Sequence, residues 1–165
     1  MIHGRRPARL AAFSTVYNMK KIRLDKEVYL EYGRPCHINI RSKNDALVFV
    51  NREFTFKCMT LLESLCEKYD FLLYVYCFMP DHLHFIISVQ GEKSIIELVQ
   101  AFKSLTTLES YTHGFEGKIL QTRFYDHFLR NWEDLERHIK YVLENPIRKG
   151  LVRDFKDYPF GKSFI

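Results

Sequence analysis

The chain has 165 residues, of which 47% are apolar and 15% are aromatic. This length and composition suit one domain with a single core, and they exclude a largely disordered chain. The net charge of +5 is compatible with a polyanionic partner such as nucleic acid, although ordinary surface charge explains it equally well. Charged residues interrupt every apolar run, so no membrane-spanning helix is expected.

The four cysteines are widely spaced and form no C-x-x-C pair: Cys36, Cys58, Cys66 and Cys77. Such cysteines are typical of core residues in a reducing compartment. No long apolar region follows the N-terminal arginines, so no secretory signal is expected. The sequence therefore predicts a cytoplasmic protein with one domain over residues 1–165, in which residues 1–32 form a basic N-terminal arm.

The first half of the sequence predicts a strand, a helix and a β-hairpin. Residues 36–41 alternate apolar and polar side chains, which is the pattern of a strand. A helix follows, because apolar residues recur at helical spacing after Asn51, a favourable N-cap. Residues 71–78 and 83–90 are rich in β-branched and aromatic side chains and are separated by a Pro-Asp break. We therefore expect these two runs to pair as an antiparallel hairpin.

The second half predicts a helix, a short strand and a last helix. The first of these helices starts near Ser94, and its apolar residues form one buried stripe. A short strand is expected within residues 120–129. Asn131 caps the last helix, and Pro146 is expected to end it because proline cannot continue the hydrogen-bond ladder. The tail beyond Leu151 is expected to be irregular.

The order of these elements predicts the fold class. Strand–helix–strand–strand–helix–strand is the order of a ferredoxin-like α+β fold, in which helices pack on one face of an antiparallel sheet. The last helix is an addition at the C-terminal end. Because a fold hosts many functions, the functional residues have to be argued separately.

Two histidines stand one residue apart at the start of the second hairpin strand. Alternate residues of a strand point to the same face, so His82 and His84 are expected to project together and could bind one ion. With phosphate and water completing the site, nitrogen and oxygen ligands suit Mg²⁺ or Mn²⁺, although imidazole also accepts Zn²⁺, Co²⁺ or Ni²⁺. The alternative is a pair of core histidines with no ligand.

The last helix has an aromatic residue on its polar face. Its predicted apolar stripe contains Trp132, Leu135, Ile139, Val142 and Leu143. Tyr141 lies nearly opposite this stripe and groups with Asp134, His138 and Asn145. A tyrosine and an amide oxygen could therefore meet the histidine pair together. The alternative is a surface tyrosine whose hydroxyl group points into water.

Several phrases of the sequence resemble a known family. Pro80-Asp81-His82-Leu83-His84 is similar to the histidine–hydrophobe–histidine (HUH) signature of single-tyrosine transposases. Further phrases resemble the REP-associated tyrosine transposases and run from about residue 33 to 153: Gly33-Arg34-Pro35 with His37, Tyr76-Cys77-Phe78-Met79-Pro80, Gln121 with Arg123-Phe124-Tyr125-Asp126-His127, and Tyr141 followed by Asn145-Pro146-Ile147-Arg148-Lys149-Gly150-Leu151-Val152. One departure is Asp81, where the family usually has asparagine.

The resemblance implies a site and an activity. His82 and His84, with Asn145 as third ligand, would bind a divalent metal, Mg²⁺ or Mn²⁺. Tyr141 would attack single-stranded DNA, in a hairpin or palindromic repeat, and form a covalent 5′-phosphotyrosine intermediate during cleavage and strand transfer. His138 lies one helical turn before Tyr141 and is a candidate general base.

Other assignments remain open from the sequence. Arg5, Arg6, Lys103 and Arg123 are candidate DNA contacts. Tyr125 and Tyr111 are alternative nucleophiles, although packing or helix capping accounts for them more simply. Two other functions are possible, a DNA-binding module for hairpin repeats that no longer cleaves and a metal-dependent hydrolase that activates water. A monomer and a homodimer are both compatible with the sequence.

Overall fold

A five-stranded antiparallel sheet organises the fold. The computed structural model describes residues 24–165. The strands are β1 (Cys36–Arg41), β2 (Phe71–Met79), β3 (His82–Val89), β4 (Tyr125–Phe128) and β5 (Gly161–Ser163). They are arranged in the order β4-β1-β3-β2-β5, and each neighbouring pair is antiparallel. The predicted α+β class is confirmed, and so is the hairpin of β2 and β3.

Three helices cover the two faces of this sheet. They are α1 (Arg52–Lys68), α2 (Ile95–Thr112) and α3 (Trp132–Arg148). Each begins at the predicted capping residue, because the side chains of Asn51, Ser94 and Asn131 each accept a hydrogen bond from a backbone N–H in the first turn. Helices α1 and α2 pack on one face as predicted, and α3 covers the other face.

The hairpin is largely apolar because both of its faces are mostly buried. Tyr76, Phe78, Leu83 and Phe85 belong to the core cluster under α1 and α2. The alternate residues Val75, Met79 and Ile86 pack with Leu135, Ile139 and Val142 of α3. Because side chains alternate along a strand, the even-numbered residues of β3, including both histidines, point to the face that α3 covers.

Pro146 does not end the last helix, which is a correction to the prediction. The helix continues to Arg148, with the Lys149 N–H donating to the carbonyl of Asn145 at 3.1 Å. Proline removes only the bond to the carbonyl four residues earlier. The helix ends at Arg148, and Gly150 follows the C-cap residue with a φ of 68°, in the left-handed region that favours glycine. As a result, Asn145 remains in helical register with Tyr141.

Two further predictions are corrected. Trp132, assigned to the apolar stripe of α3, is 60% exposed, and its indole N–H donates to Glu136 at 2.8 Å. The C-terminal tail is not wholly irregular, since Gly161–Ser163 forms β5 and pairs with β2. The hydroxyl of Tyr158 also ties the tail to the sheet, by donating to the carbonyl of Phe78 at 2.6 Å.

The segment before β1 is partly folded against the domain. Residues Lys26–Leu30 form a short 3₁₀ helix, and the buried Tyr29 donates to Asp126 at 3.2 Å. The candidate DNA contacts Arg5 and Arg6 lie outside the described residues. Within residues 24–165, no helix is long and apolar enough to cross a membrane.

Candidate active site

The two histidines of β3 lie side by side under α3. His82 and His84 are both buried, and their ring centroids are 4.8 Å apart. In the sheet they stand opposite Met79 and Cys77 on one side and Arg41 and Asn39 on the other. Their arrangement on one face is therefore the one that strand alternation predicts.

Each histidine of the pair has a partner on one ring nitrogen. Nδ1 of His82 lies 2.5 Å from Oδ1 of Asp81, whose other oxygen accepts a hydrogen bond from Arg41. Nδ1 of His84 lies 3.1 Å from Nε2 of His37. Metal-binding histidines usually donate their second ring N–H to such a partner, which fixes the tautomer and the ring orientation. The remaining ring nitrogen of each histidine, Nε2, is the atom that could bind a metal.

His37 extends the network from β1 to α3. Its Nδ1 lies 3.0 Å from Nδ1 of His138, whose ring stacks on that of His127. Burial is the main cause that lowers the pKa of His37 to about 4 and that of His84 to about 3. Burial also lowers the pKa of His82, against the opposing effect of Asp81. These histidines are therefore neutral near pH 7, which is the form that binds metals.

Tyr141 faces this network across a cavity. The tyrosine is 40% exposed, and its ring centroid lies 5.8 Å from that of His84 and 6.1 Å from that of His37. The active-site cavity has a volume of about 470 Å³ and is lined by His37, Asn39, His84, Tyr125, Asp134, Arg137, His138, Tyr141 and Arg148. The guanidinium carbon of Arg148 lies 4.8 Å from the centre of the Tyr141 ring. Tyr141 and His84, one of the two histidines of the pair, thus line one cavity within a single chain.

Asn145 is buried one turn after Tyr141. Its Nδ2 donates to the carbonyl of Tyr141 at 3.2 Å, which orients the amide and leaves Oδ1 as the atom that could bind a metal. Among the described residues, no three His, Cys, Asp or Glu side chains are arranged to hold a metal. An amide oxygen with two imidazoles fits a divalent cation that also binds phosphate or water.

Two residues of this cavity were not identified as candidate site residues from the sequence pattern. His37 and Asn39 alternate along β1 and stand opposite His127 and Tyr125 of β4. In the part of the chain that is described, Oδ1 of Asn39 is one of two buried side-chain polar atoms without a hydrogen-bond partner. Strand periodicity places the two residues on one face, but only the strand order shows that this face adjoins the histidine pair.

The remaining candidates occupy different surroundings. Lys103 donates to the carbonyls of Gln121 and Thr122 at 2.9 and 3.1 Å and lies over the ring of Phe124. Arg123 is exposed just before β4. Both stay predictions as DNA contacts.

The two alternative nucleophiles differ in position. Tyr125 is 53% exposed and lines the active-site cavity, so packing does not account for it. Tyr111 is exposed on α2, on the opposite side of the sheet. Tyr125 is therefore the competitor of Tyr141 that needs an experimental control.

The fold matches that of a tyrosine transposase. A solved structure of a REP-associated tyrosine transposase bound to a REP hairpin superposes with a TM-score of 0.70. The match covers 87% of this chain and 82% of the other, at 20% sequence identity. At that identity the likeness establishes the fold alone.

Family membership follows from the sequence match. The family described as "Transposase IS200 like" matches residues 32–129, which is more than half of the chain. The chain belongs to the IS200-like transposase family. The matched segment contains the histidine pair and ends before α3, so Tyr141 and Asn145 lie beyond it.

Two curated relatives carry the name of one branch. A Haemophilus influenzae protein named as a REP-associated tyrosine transposase is 29% identical over 110 residues, which are 60% of this chain and 62% of the relative. The REP-associated tyrosine transposase of Escherichia coli is 31% identical over 85 residues, which are 50% of this chain and 48% of the relative. The matches thus span about half to three fifths of the relatives' length.

Proposed function

We propose that the protein is a metal-dependent endonuclease and strand transferase that acts on single-stranded DNA through a covalent 5′-phosphotyrosine. The observation that carries this proposal is the position of Tyr141. It is a half-exposed tyrosine that faces His84 of the buried histidine pair across one cavity, with ring centroids 5.8 Å apart. A tyrosine that served only packing would have no reason to stand over two neutral imidazoles. Membership of a transposase family supports the same activity.

The metal site is part of the proposal. His82, His84 and Asn145 would hold Mg²⁺ or Mn²⁺, with Asp81 and His37 orienting the two imidazoles through Nδ1. When bound, the cation supplies positive charge that neutralises the oxygens of the scissile phosphate. Arg137 and Arg148 also line the cavity, where they donate to the carboxylates of Asp134 and Glu144, each at 2.6 Å.

The nucleophile of the proposed reaction is the hydroxyl oxygen of Tyr141. It forms a bond to phosphorus while the bond from phosphorus to the 3′ oxygen breaks. The 3′ oxygen takes up a proton, and the phosphate stays on the 5′ end as a tyrosine ester. The energy of the broken bond is retained in that ester, so another 3′ hydroxyl can attack it and rejoin the strand. A nuclease that used water would have no need of this intermediate.

The hydrogen bonds between the histidines constrain the role of His138. When Nε2 of His84 is a ligand atom, its hydrogen lies on Nδ1 and is donated to His37. His37 must then carry its hydrogen on Nδ1 and donate it to His138, whose own hydrogen lies on Nε2. In this state His138 is a hydrogen-bond donor to the cavity, which suits a phosphate oxygen better than the abstraction of a proton. The proton of the Tyr141 hydroxyl then passes to a group other than His138, and water can reach this 40% exposed side chain.

The proposed substrate is a hairpin or palindromic repeat in single-stranded form. The support is the likeness to the transposase whose structure holds a REP hairpin. We also propose that one chain forms a complete site, since all the residues assigned above come from one chain. A reducing cytoplasmic location is proposed on the basis of four buried free thiols.

One experiment tests the activity. The protein is incubated with Mn²⁺ or Mg²⁺ and a labelled pool of hairpins with randomised single-stranded flanks, and adducts that resist denaturant are separated and sequenced. Wild-type protein and a Tyr125→Phe variant are expected to form the adduct, while Tyr141→Phe forms none. Cleavage that survives Tyr141→Phe would indicate a hydrolase that activates water. Binding without any cleavage would indicate a DNA-binding module.

A further inference from the structure

Two large aromatic side chains stand exposed at a second cavity. Trp132 is 60% exposed and Tyr32 is 73% exposed. Both line a cavity of about 630 Å³ at the N-terminal end of α3, together with Arg34 and Arg130. Tryptophan is on average a highly buried residue, and scattered exposed apolar residues are normal. Two exposed aromatic rings at one concave site that also contains arginines are a more specific arrangement.

Trp132 is held in place although it is exposed. Its indole N–H donates to Glu136 one turn later on the same helix at 2.8 Å, so the ring is anchored at its edge. Arg34 is likewise fixed, since it donates to Glu31 at 2.9 Å and lies over the ring of Phe128. A platform whose side chains are ordered before binding loses less conformational entropy when a ligand stacks on it.

This second cavity adjoins the active-site cavity through Asp134. Asp134 lines the active-site cavity, and its carboxylate accepts a hydrogen bond from the backbone N–H of Arg130, which lines the second cavity. Trp132 and Tyr141 are nine positions apart on α3, which is about 14 Å along the helix axis and about half a turn around it at 3.6 residues per turn. A single strand held at Tyr141 would therefore have to run along α3 and also pass around the helix to reach Trp132.

We propose that Tyr32 and Trp132 form a stacking platform for unpaired bases that flank the scissile phosphate. The proposal rests on the proposed function, because it assigns the substrate of that same site. Aromatic faces accept any exposed base, and Arg130, which lines the same cavity, can attract the phosphates that connect the bases, whereas Arg34 is paired with Glu31. In a duplex the bases stack on one another and are not offered to such a platform. The platform thus selects single strands over duplexes.

The chain provides its own probe, because Trp132 is its one tryptophan. A Tyr141→Phe protein, which cannot cleave, is titrated with a fluorescently labelled hairpin that has single-stranded flanks. The anisotropy of the label reports binding, and the emission of Trp132 reports stacking. We expect the tryptophan emission to be quenched in step with binding. Abasic flanks of equal length should bind without that quenching.

Substitutions measure the contribution of the platform. Stacking typically contributes about 1–3 kcal/mol per base, so Trp132→Ala or Tyr32→Ala should raise the Kd for the flanked hairpin about 5- to 150-fold. Tyr111→Ala, which removes a 52% exposed tyrosine on the opposite side of the sheet, should leave the Kd unchanged. The variants should unfold at the same denaturant concentration as the parent, since the replaced rings are exposed.

The possible failures of this experiment are distinguishable. Binding with unchanged tryptophan emission, or with unchanged Kd in both platform variants, would overturn the platform and leave the proposed function intact. A protein that binds neither flanked nor abasic hairpins would overturn the proposed function together with the platform. Equal loss of affinity for flanked and abasic hairpins in Trp132→Ala would show that the residue supports the fold locally and does not stack on bases.

Discussion

Replacing His37 by phenylalanine tests whether the histidine network supports a metal site. His37 lies between His84 and His138, with ring nitrogen separations of 3.1 and 3.0 Å. Phenylalanine keeps a ring of similar size in this buried position and removes both nitrogen atoms. Nδ1 of His84 then loses the group that fixes its tautomer and orientation. Nothing else in the described network offers His84 the same contact.

The expected magnitude follows from the type of contact that is lost. Removing the partner that orients a metal ligand typically lowers metal affinity by 10- to 100-fold, which is about 1.4 to 2.7 kcal/mol. A buried nitrogen left without a partner also destabilises the fold by about 1–3 kcal/mol. We therefore expect a weaker Mn²⁺ site in a protein that unfolds at a lower denaturant concentration.

Calorimetric titration with Mn²⁺ and urea unfolding without metal measure the two effects separately. His127→Phe is the matched control, because it replaces a histidine of the same network that stacks on His138. The ring nitrogen that lies 3.1 Å from Nδ1 of His84 belongs to His37 and is kept in this control. His37→Gln should recover part of the affinity, since its amide can still accept a hydrogen bond. A folded His37→Phe protein with the affinity of the His127→Phe control would refute the orienting role. A wild-type protein that binds no Mn²⁺ would refute the metal site itself.

Three other predictions concern different parts of the chain. Residues 1–23 contain six Lys or Arg and no Asp or Glu. Deleting them should reduce the slope of the logarithm of the binding constant for single-stranded DNA against the logarithm of the salt concentration by about 4. An unchanged slope in filter binding would exclude these residues as phosphate contacts. Asp81→Asn keeps an acceptor for His82, so calorimetry should show Mn²⁺ affinity reduced by less than about tenfold, and a larger loss would mean that the carboxylate charge itself is needed. Ser94→Ala removes the capping box of α2 and should cost about 1 kcal/mol in urea unfolding. The backbone N–H of Ser94 is the main cause that lowers the pKa of Glu97 to about 2. The stability that Glu97 contributes should therefore be present above pH 4.5 and lost as the pH falls towards 2. Urea unfolding midpoints that stay constant over this pH range would contradict this prediction.

Much of the fold could be predicted because the relevant signals are local. Alternation along residues 36–41 and the two β-rich runs identified three strands, and capping residues identified the helix starts. The polar face of α3 was also predictable, since helical spacing alone puts Tyr141 on the side away from Ile139 and Val142. These predictions need only the geometry of one strand or one helix.

The wrong predictions concern residues whose structure depends on other elements of the fold and not on local sequence alone. Helical spacing gives the direction of Trp132 but not whether another element packs there, and no element within residues 24–165 buries it. Pro146 was expected to end α3, yet the helix tolerates the loss of one hydrogen bond and continues to Arg148. β5 is only three residues long, and its pairing with β2 rather than its own sequence makes it a strand.

By itself the sequence determined that His82 and His84 share a face and that Tyr141 and Asn145 share another, because periodicity within one element decides both. Only the tertiary structure decided that the two faces meet. The strand order places β1 beside β3, so His37 contacts His84. The packing of α3 on the same face brings the ring of Tyr141 close to that of His84. Such contacts join residues about 50 to 100 positions apart, and no repeat of 2 or 3.6 residues extends that far.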